Sequence, residues 1–306
     1  NFIKVELSIN IFLDMLYFFT YSYLGIFMKN IFKLSFVLLF MLNFSACNDE
    51  LVEEKVQPDV LTAPKTAQEE DYGQGPKFKQ YSAEDFYKTT AVFGSSINHD
   101  ASAVLISSDE SGIFNVYKMP LDGSPAQALT NSTQDSVFAE SWFPNDDRIL
   151  FSGDKGGNEE DHLYVREMDG TTKDLTPGEG LKASFVGWHD DDNQFYVASN
   201  ERDAKFFDLY LYQASDYARQ MVYQNNDGYA ISDVSPNGQW LAVTKTNSNA
   251  DSDIFLIDLS TEDKNAQLIT EHQGDVSHSV YTFTKESDCL IYATNEFGEY
   301  NQAWTY

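Results

Sequence analysis

The stretch WFPNDDRILFSGDKGGNEEDHLYVREMDGTTKDLT, residues 142–176, reads as strand, tight turn, strand, loop, strand, turn, strand. It recurs in weaker copies on either side. Asp122-Gly123 returns as Asp169-Gly170, 47 residues later. Leu129-Thr130 returns as Leu175-Thr176, 46 later, and as Ile269-Thr270 two periods beyond. Tyr117, Tyr164, Tyr210 and Phe255 are spaced 47, 46 and 45 apart. Phe143-Pro144-Asn145-Asp146 matches Ser235-Pro236-Asn237-Gly238 after 92 residues.

Every copy has one order. A short strand ends in a turn, clearest at Ser235-Pro236-Asn237-Gly238, where Pro and Asn-Gly supply turn geometry. An apolar second strand follows, as at Arg148–Ser152 and Trp240–Thr244. A Gly/Asn/Asp loop leads to a third strand, and an Asp-Gly turn to a fourth that ends in Leu-Thr. Four strands per period of about 46 residues predict β-propeller blades. One blade cannot bury both faces, whereas blades stacked around an axis can. Two β-sandwiches are the competing architecture, but sandwiches do not repeat a turn and a Leu-Thr ending in register. The expected fold is all-β. Blades fall at about 91–130, 136–176, 183–225, 230–270 and 278–306, the last partial, about 4.7 periods. Trp142 and Trp188, 46 apart in equivalent first strands, are expected to pack blade against blade.

Composition agrees with short strands. The chain has 306 residues, 23 Phe and 18 Tyr. Its net charge is −28, and residues 1–47, with Lys4, Lys29 and Lys33 against Glu6 and Asp14, contribute none of that acidity. Such a surface repels phosphate backbones and argues against a nucleic-acid partner. Only Cys47 and Cys289 are present, so no disulfide framework is expected, and Cys289 reads as a small buried residue on a strand.

The N-terminus reads as an address. Residues 1–27 lack an initial Met and read as an over-extended gene start. From Met28, Lys29 and Lys33 precede an apolar Leu34–Leu42 and then Phe44-Ser45-Ala46-Cys47, which resembles a bacterial lipobox with Phe in place of the usual Leu. The resemblance implies lipid attachment at Cys47 and a protein held at the cell envelope by that anchor, periplasmic or surface-exposed. An ordinary cleaved signal, or a retained anchor that uses residues 11–27, are the competing readings. Residues 48–80 are acidic and poor in large apolar side chains, as in a disordered tether. Ser82-Ala83-Glu84-Asp85 opens a short helix with a Ser cap, expected to pack on the repeats of the 81–306 propeller.

The copies carry a family resemblance. Gly153–Glu159 followed by His162-Leu163-Tyr164 resembles the second propeller blade of prolyl oligopeptidase family serine peptidases, in their acylaminoacyl-peptidase and bacterial dipeptidyl-peptidase branch. Asn200–Tyr210 is similar to the third blade of that group, and Ser235–Ala242 with Asp251–Leu256 to its fourth. Tyr81–Phe86 is similar to its opening segment, so the resemblance covers residues 80–306. It implies a seven-bladed propeller that restricts access to a following α/β-hydrolase domain, to which peptides are the substrate. No Gly-x-Ser-x-Gly occurs in this chain, and no His is paired by motif with a nucleophile, so no catalytic residue is expected here. The last unit stops at Tyr306 in its third strand, which reads as a truncated product, poorly stable and inactive alone.

The site readings are few. Glu159 and Glu160 precede a third strand. The resemblance implies that they could hold a substrate's free amine, as propeller carboxylates do in dipeptidyl relatives, and a solvated acidic loop is the competing reading. Arg202 and Asp203 read as an ion pair in the third-blade loop, with a place facing the domain interface as the competing reading. His272 and His278 read as loop residues without a zinc-site spacing. No metal and no cofactor are expected. A stand-alone TolB-like propeller that binds protein or glycan at the envelope is the alternative function.

Overall fold

The structure, a computed structural model, describes residues 80–306. The readings placed on residues 1–79, Cys47 among them, lie outside the described residues.

A short helix α1 (Ala83–Tyr87) comes first, with Ser82 and Asp85 forming a reciprocal capping box. None of its residues is buried, so the expected packing of α1 on the repeats is not observed. Five antiparallel sheets follow. The first holds β1 (Val92–Ile97), β2 (Ala103–Ser108), β3 (Asn115–Pro120) and β4 (Gln127–Ala128). The second holds β5 (Val137–Trp142), β6 (Ile149–Gly153), β7 (His162–Arg166) and β8 (Thr172–Asp174). The third holds β9 (Ala183–Trp188), β10 (Gln194–Asp203), β11 (Phe206–Gln213) and β12 (Arg219–Tyr223). The fourth holds β13 (Ala230–Val234), β14 (Trp240–Ser248), β15 (Asp251–Asp258) and β16 (Ala266–Leu268), and the fifth β17 (His278–Phe283), β18 (Leu290–Thr294) and β19 (Gln302–Thr305). Strands pair in chain order throughout, as blades require. First strands neighbour one another at three of the four junctions, β1 by β5, β9 by β13 and β13 by β17, which sets them nearest the common axis.

The pleat of the second and third strands explains the packing. Successive side chains point to opposite faces. In β6, Ile149 and Phe151 join Leu105, Val116 and Trp142 between blades 1 and 2, while Leu150 joins Phe143, Phe195, Val197 and Tyr212 between blades 2 and 3. In β10 and β14, Tyr196 meets Leu241 and Val243 between blades 3 and 4, and Ala242 meets Phe283 and Leu290 between blades 4 and 5. Each junction thus has one apolar cluster. Full burial of one such side chain stabilises by about 1.5–3 kcal/mol.

The Leu-Thr signature has a hydrogen-bond cause. The Leu amide donates to the third strand's carbonyl, and the Thr Oγ1 accepts from the N–H of that same third-strand residue. In blade 1, Leu129 N reaches Val116 O at 2.8 Å and Val116 N reaches Thr130 Oγ1 at 2.8 Å. In blade 2 the pairs are Leu175 to Leu163 O at 2.9 Å and Leu163 to Thr176 Oγ1 at 3.0 Å. In blade 4 they are Ile269 to Ile254 O at 3.0 Å and Ile254 to Thr270 Oγ1 at 2.8 Å. The threonine continues a ladder that the short outer strand has left. The pair therefore lies just beyond the fourth strand and does not end it.

The Ser-Pro-Asn-Gly turn is equally determined. Ser235 Oγ accepts from Trp240 N at 2.8 Å, and Gly238 N donates to Ser235 O at 2.7 Å. Gly238 has φ +74°, and a Cβ there would stand 2.5 Å from Tyr196 Oη of blade 3. Both the backbone and the neighbouring blade demand glycine.

Each first strand also carries a bulge that the alternation did not reveal. The extra residue is Ser95, Glu140, Val186, Ser232 and Tyr281 in turn. The residue after it often bonds the next blade. Ser96 Oγ accepts from Trp142 N at 2.7 Å, and Asp233 Oδ2 accepts from Phe283 N at 2.8 Å. Ser141 Oγ accepts from Trp188 Nε1 at 2.9 Å.

Candidate functional site at the loop end of blade 2

Antiparallel order fixes what lies at each end of the blades. The turns after the first and third strands lie at one end. The loops between second and third strands, and the connectors between blades, lie at the other. Glu159 and Glu160 are therefore at the connector end, in the loop from Asp154 to Asp161.

That loop is built from its own side chains. Gly156 and Gly157 sit at φ +66° and +71°, and Glu159 at φ +62°. Asp154 Oδ2 accepts from Glu159 N at 2.8 Å, which holds this left-handed turn in a non-glycine residue. Asp135, from the connector that precedes β5, accepts from Gly156 N at 2.8 Å. Glu160 Oε2 accepts from Asn158 Nδ2 at 3.0 Å and from Gly180 N at 3.2 Å, and so staples the loop to the next connector. A cleft of about 260 Å³ opens beside it, lined by Lys155, Asn158, Glu160, His162, Tyr164 and Glu179. Glu160 is on the cleft wall. Glu159 is exposed and does not line it.

The inner edge of blade 2 carries a second acidic feature, Glu140, which sequence reading did not single out. Its bulge places it on the first strand, where burial pushes its carboxyl up to about 7; Ser152 hydrogen-bonds the group and Asp161 repels its charge. Asp161 is itself pushed up, first by burial and then by Asp154. No local pattern could have marked Glu140, because a bulge is set by pairing with β6. His162 packs beneath the cleft with Nδ1 2.8 Å from Asp174 Oδ2, so it orients the outer strand of its own blade.

Three readings of single residues change. Arg202 pairs with Asp208, through Nε at 2.6 Å and Nη2 at 2.9 Å, and Asp203 instead accepts from Lys205 N. Asp208 is fully buried and also accepts from Asn225 N at 2.8 Å. Asn115 holds the equivalent place in blade 1, where its Oδ1 accepts from Ser132 N at 2.7 Å. Cys289 is half-buried in the turn before β18, not on a strand. His278 opens β17 instead of lying in a loop. Trp142 and Trp188 pack at blade junctions as expected. Among the described residues no group of three or more His, Cys, Asp or Glu side chains is placed to hold a metal ion. No described helix is long and apolar enough to cross a membrane, which says nothing of β-barrels.

Repeated four-stranded sheets around one axis, with an acidic cleft at the connector end, define a β-propeller domain. The prolyl oligopeptidase N-terminal β-propeller family matches residues 132–302, and the chain belongs to that family. A dipeptidyl aminopeptidase BIII from Pseudoxanthomonas mexicana is 31% identical over 118 residues, which is 38% of this chain and 17% of the relative. Among solved structures, a prolyl endopeptidase matches with a TM-score of 0.55 at 16% identity, over 72% of this chain and 34% of that one. An oligogalacturonate lyase from Vibrio parahaemolyticus matches with a TM-score of 0.51 at 15% identity, over 69% of this chain and 61% of that one. These structural likenesses show the propeller fold. The matched part is about a sixth of the dipeptidyl aminopeptidase and a third of the prolyl endopeptidase.

Proposed function

We propose that this chain is the substrate-admitting propeller of a cell-envelope serine peptidase that cleaves near the N-termini of short peptides. The supporting observation is the family match over residues 132–302, together with the identity to a dipeptidyl aminopeptidase. The α/β-hydrolase domain of the whole protein supplies the nucleophile, and this chain supplies walls and charge. The acidic cleft suits a peptide whose free amine is positive. Glu160, on the cleft wall, offers its carboxylate to that amine, and Glu159 adds negative charge at the exposed rim beside it. Lipid on Cys47 holds the protein at the membrane, with residues 48–80 as tether.

The test uses the whole protein in its native membrane fraction. A fluorophosphonate probe is expected to label it, and a dipeptide ester or amide to be hydrolysed. Glu160→Gln is expected to raise KM for substrates with a free amine by about tenfold, and to leave N-blocked substrates unchanged. Cys47→Ser is expected to move the protein into the soluble fraction. Absence of labelling would overturn the peptidase reading in favour of a propeller that binds protein or glycan.

A further inference from the structure

The seam between blades 4 and 5 contains two histidines in unlike states. His272 lies in the connector after β16. Its Nδ1 is 2.9 Å from Thr270 O, and its Nε2 is 2.9 Å from Asp251 Oδ1. A carbonyl oxygen and a carboxylate only accept. Both ring nitrogens must therefore donate, which only the imidazolium can do. Asp253 Oδ1 adds a second carboxylate 3.5 Å from Nδ1.

His278, the first residue of the axial strand β17, is the opposite case. It is 2% exposed, and neither ring nitrogen has a hydrogen-bond partner. Its ring centroid is 5.1 Å from that of His272. Its backbone is held by blade 4, because Ser252 Oγ accepts from His278 N at 2.8 Å and donates to His278 O at 2.7 Å. The charged and titratable groups that face it are Asp251 and Asp253 of β15, His272 of the connector, Tyr292 of β18 and Glu296 beyond β18. Asp251 and Asp253 already hold His272. A proton added to His278 would thus place a second positive ring against the first with no hydrogen-bond acceptor of its own.

We propose that His272 and His278 form a proton-operated latch between the fourth and fifth blades, closed with His272 charged and His278 neutral, and opened by a proton on His278. Opening moves the His278 ring away from His272 and draws on the Ser252 bridge, which is the polar tie between β15 and β17. The device does not depend on the peptidase reading.

The signs give the latch a distinctive profile. Burial, followed by the charge of His272, pulls His278 below its ordinary value of 6.5. Its contribution to stability is complete above 6.5 and is lost as pH falls through its lowered value. The Thr270 carbonyl, helped by Asp251 and Asp253, raises His272, whose contribution is complete below 6.5 and is lost as pH rises through its raised value. The seam is therefore tightest near the ordinary histidine value and loosens on both sides.

Hydrogen exchange of the amides of residues 278–283 in the full chain, corrected for intrinsic rate, tests this between pH 5 and 8. The wild-type seam is expected to exchange most slowly near pH 6.5. On the acid side exchange should rise about tenfold per pH unit between 6.5 and the lowered value of His278. His278→Phe is expected to abolish the acid-side rise, and His272→Gln the alkaline one. An acid-side rise of equal size in His278→Phe overturns the latch. Should that variant not fold, NMR titration of the wild-type rings decides. One ring titrating below 6.5 and assigned to His278 supports the latch, and His278 titrating at or above 6.5 overturns it.

Discussion

The junction between blades 2 and 3 and the junction between blades 4 and 5 have the same topology and different chemistry. The first is packed with large rings: Phe143 lies 4.9 Å from Trp188, and Phe195 lies 5.2 Å from both Trp188 and Tyr212. Arg148 clasps it from the turn end. Its guanidinium stacks 4.1 Å over Phe143, donates to Ala214 O at 2.7 Å and Tyr217 Oη at 2.8 Å, and is paired with Asp146. That arginine stays charged at any relevant pH, so the clasp does not titrate. The second junction has smaller apolar members, Ala242, Ile254, Leu256, Phe283 and Leu290, and is flanked by Asp233 and the two histidines. One frame therefore yields a junction whose clasp does not titrate and another whose ties do. The difference comes from which residue types occupy equivalent slots.

The largest test falls on the ring-packed junction. Phe195→Ala should cost about 3–5 kcal/mol, with no change in the pH profile of unfolding, as read by denaturant melts at several pH values. A pH-dependent loss would break the contrast. Arg148→Met should cost about 2 kcal/mol in the same melts, because it removes hydrogen bonds from a charged donor while keeping apolar contact. Its effect should vary little with salt, since the clasp is mostly shielded. Thr270→Val should cost about 1 kcal/mol, the worth of one ladder bond, and Thr176→Val the same. Equal losses would show that the Leu-Thr tie is independent of junction chemistry; unequal losses would show coupling to the histidine seam.

The smallest expected effect is a slope. Burial raises the Asp233 carboxyl, while the amides of Phe283 and Val234 pull it back. A raised carboxylate gives stability that is present below its unfolded value and lost as pH rises through the folded value. Asp233→Asn should remove that dependence, and urea melts across the acid range would read it. The sign is opposite to that of His278, so the two groups can be separated at one seam.

Much of this fold was legible in residues 142–176 and their copies. Spacings of 45 to 47 residues marked the blades, and apolar runs such as Ile149-Leu150-Phe151 marked the buried second strands, but the packing alone assigned Leu150 to blade 3 and its two neighbours to blade 1. The Gly-Gly loop of blade 2 was legible as a hairpin loop, and Glu160 as a member of it. Glu140 was not, and neither was the true partner of Arg202. Asp203 is next to Arg202 in the chain, but strand pairing brings Asp208 across from β11.

By itself the sequence determined the repeating unit, its strand order and its turns, because those follow from local φ/ψ preference and a period-two burial pattern. The tertiary structure decided the rest: the first-strand bulges, the cross-blade ties from Ser96, Ser141 and Asp233, and the meeting of His272 with His278. Those features depend on how one blade is set against the next. That placement is fixed by apolar burial summed over whole faces, which no short window of sequence contains.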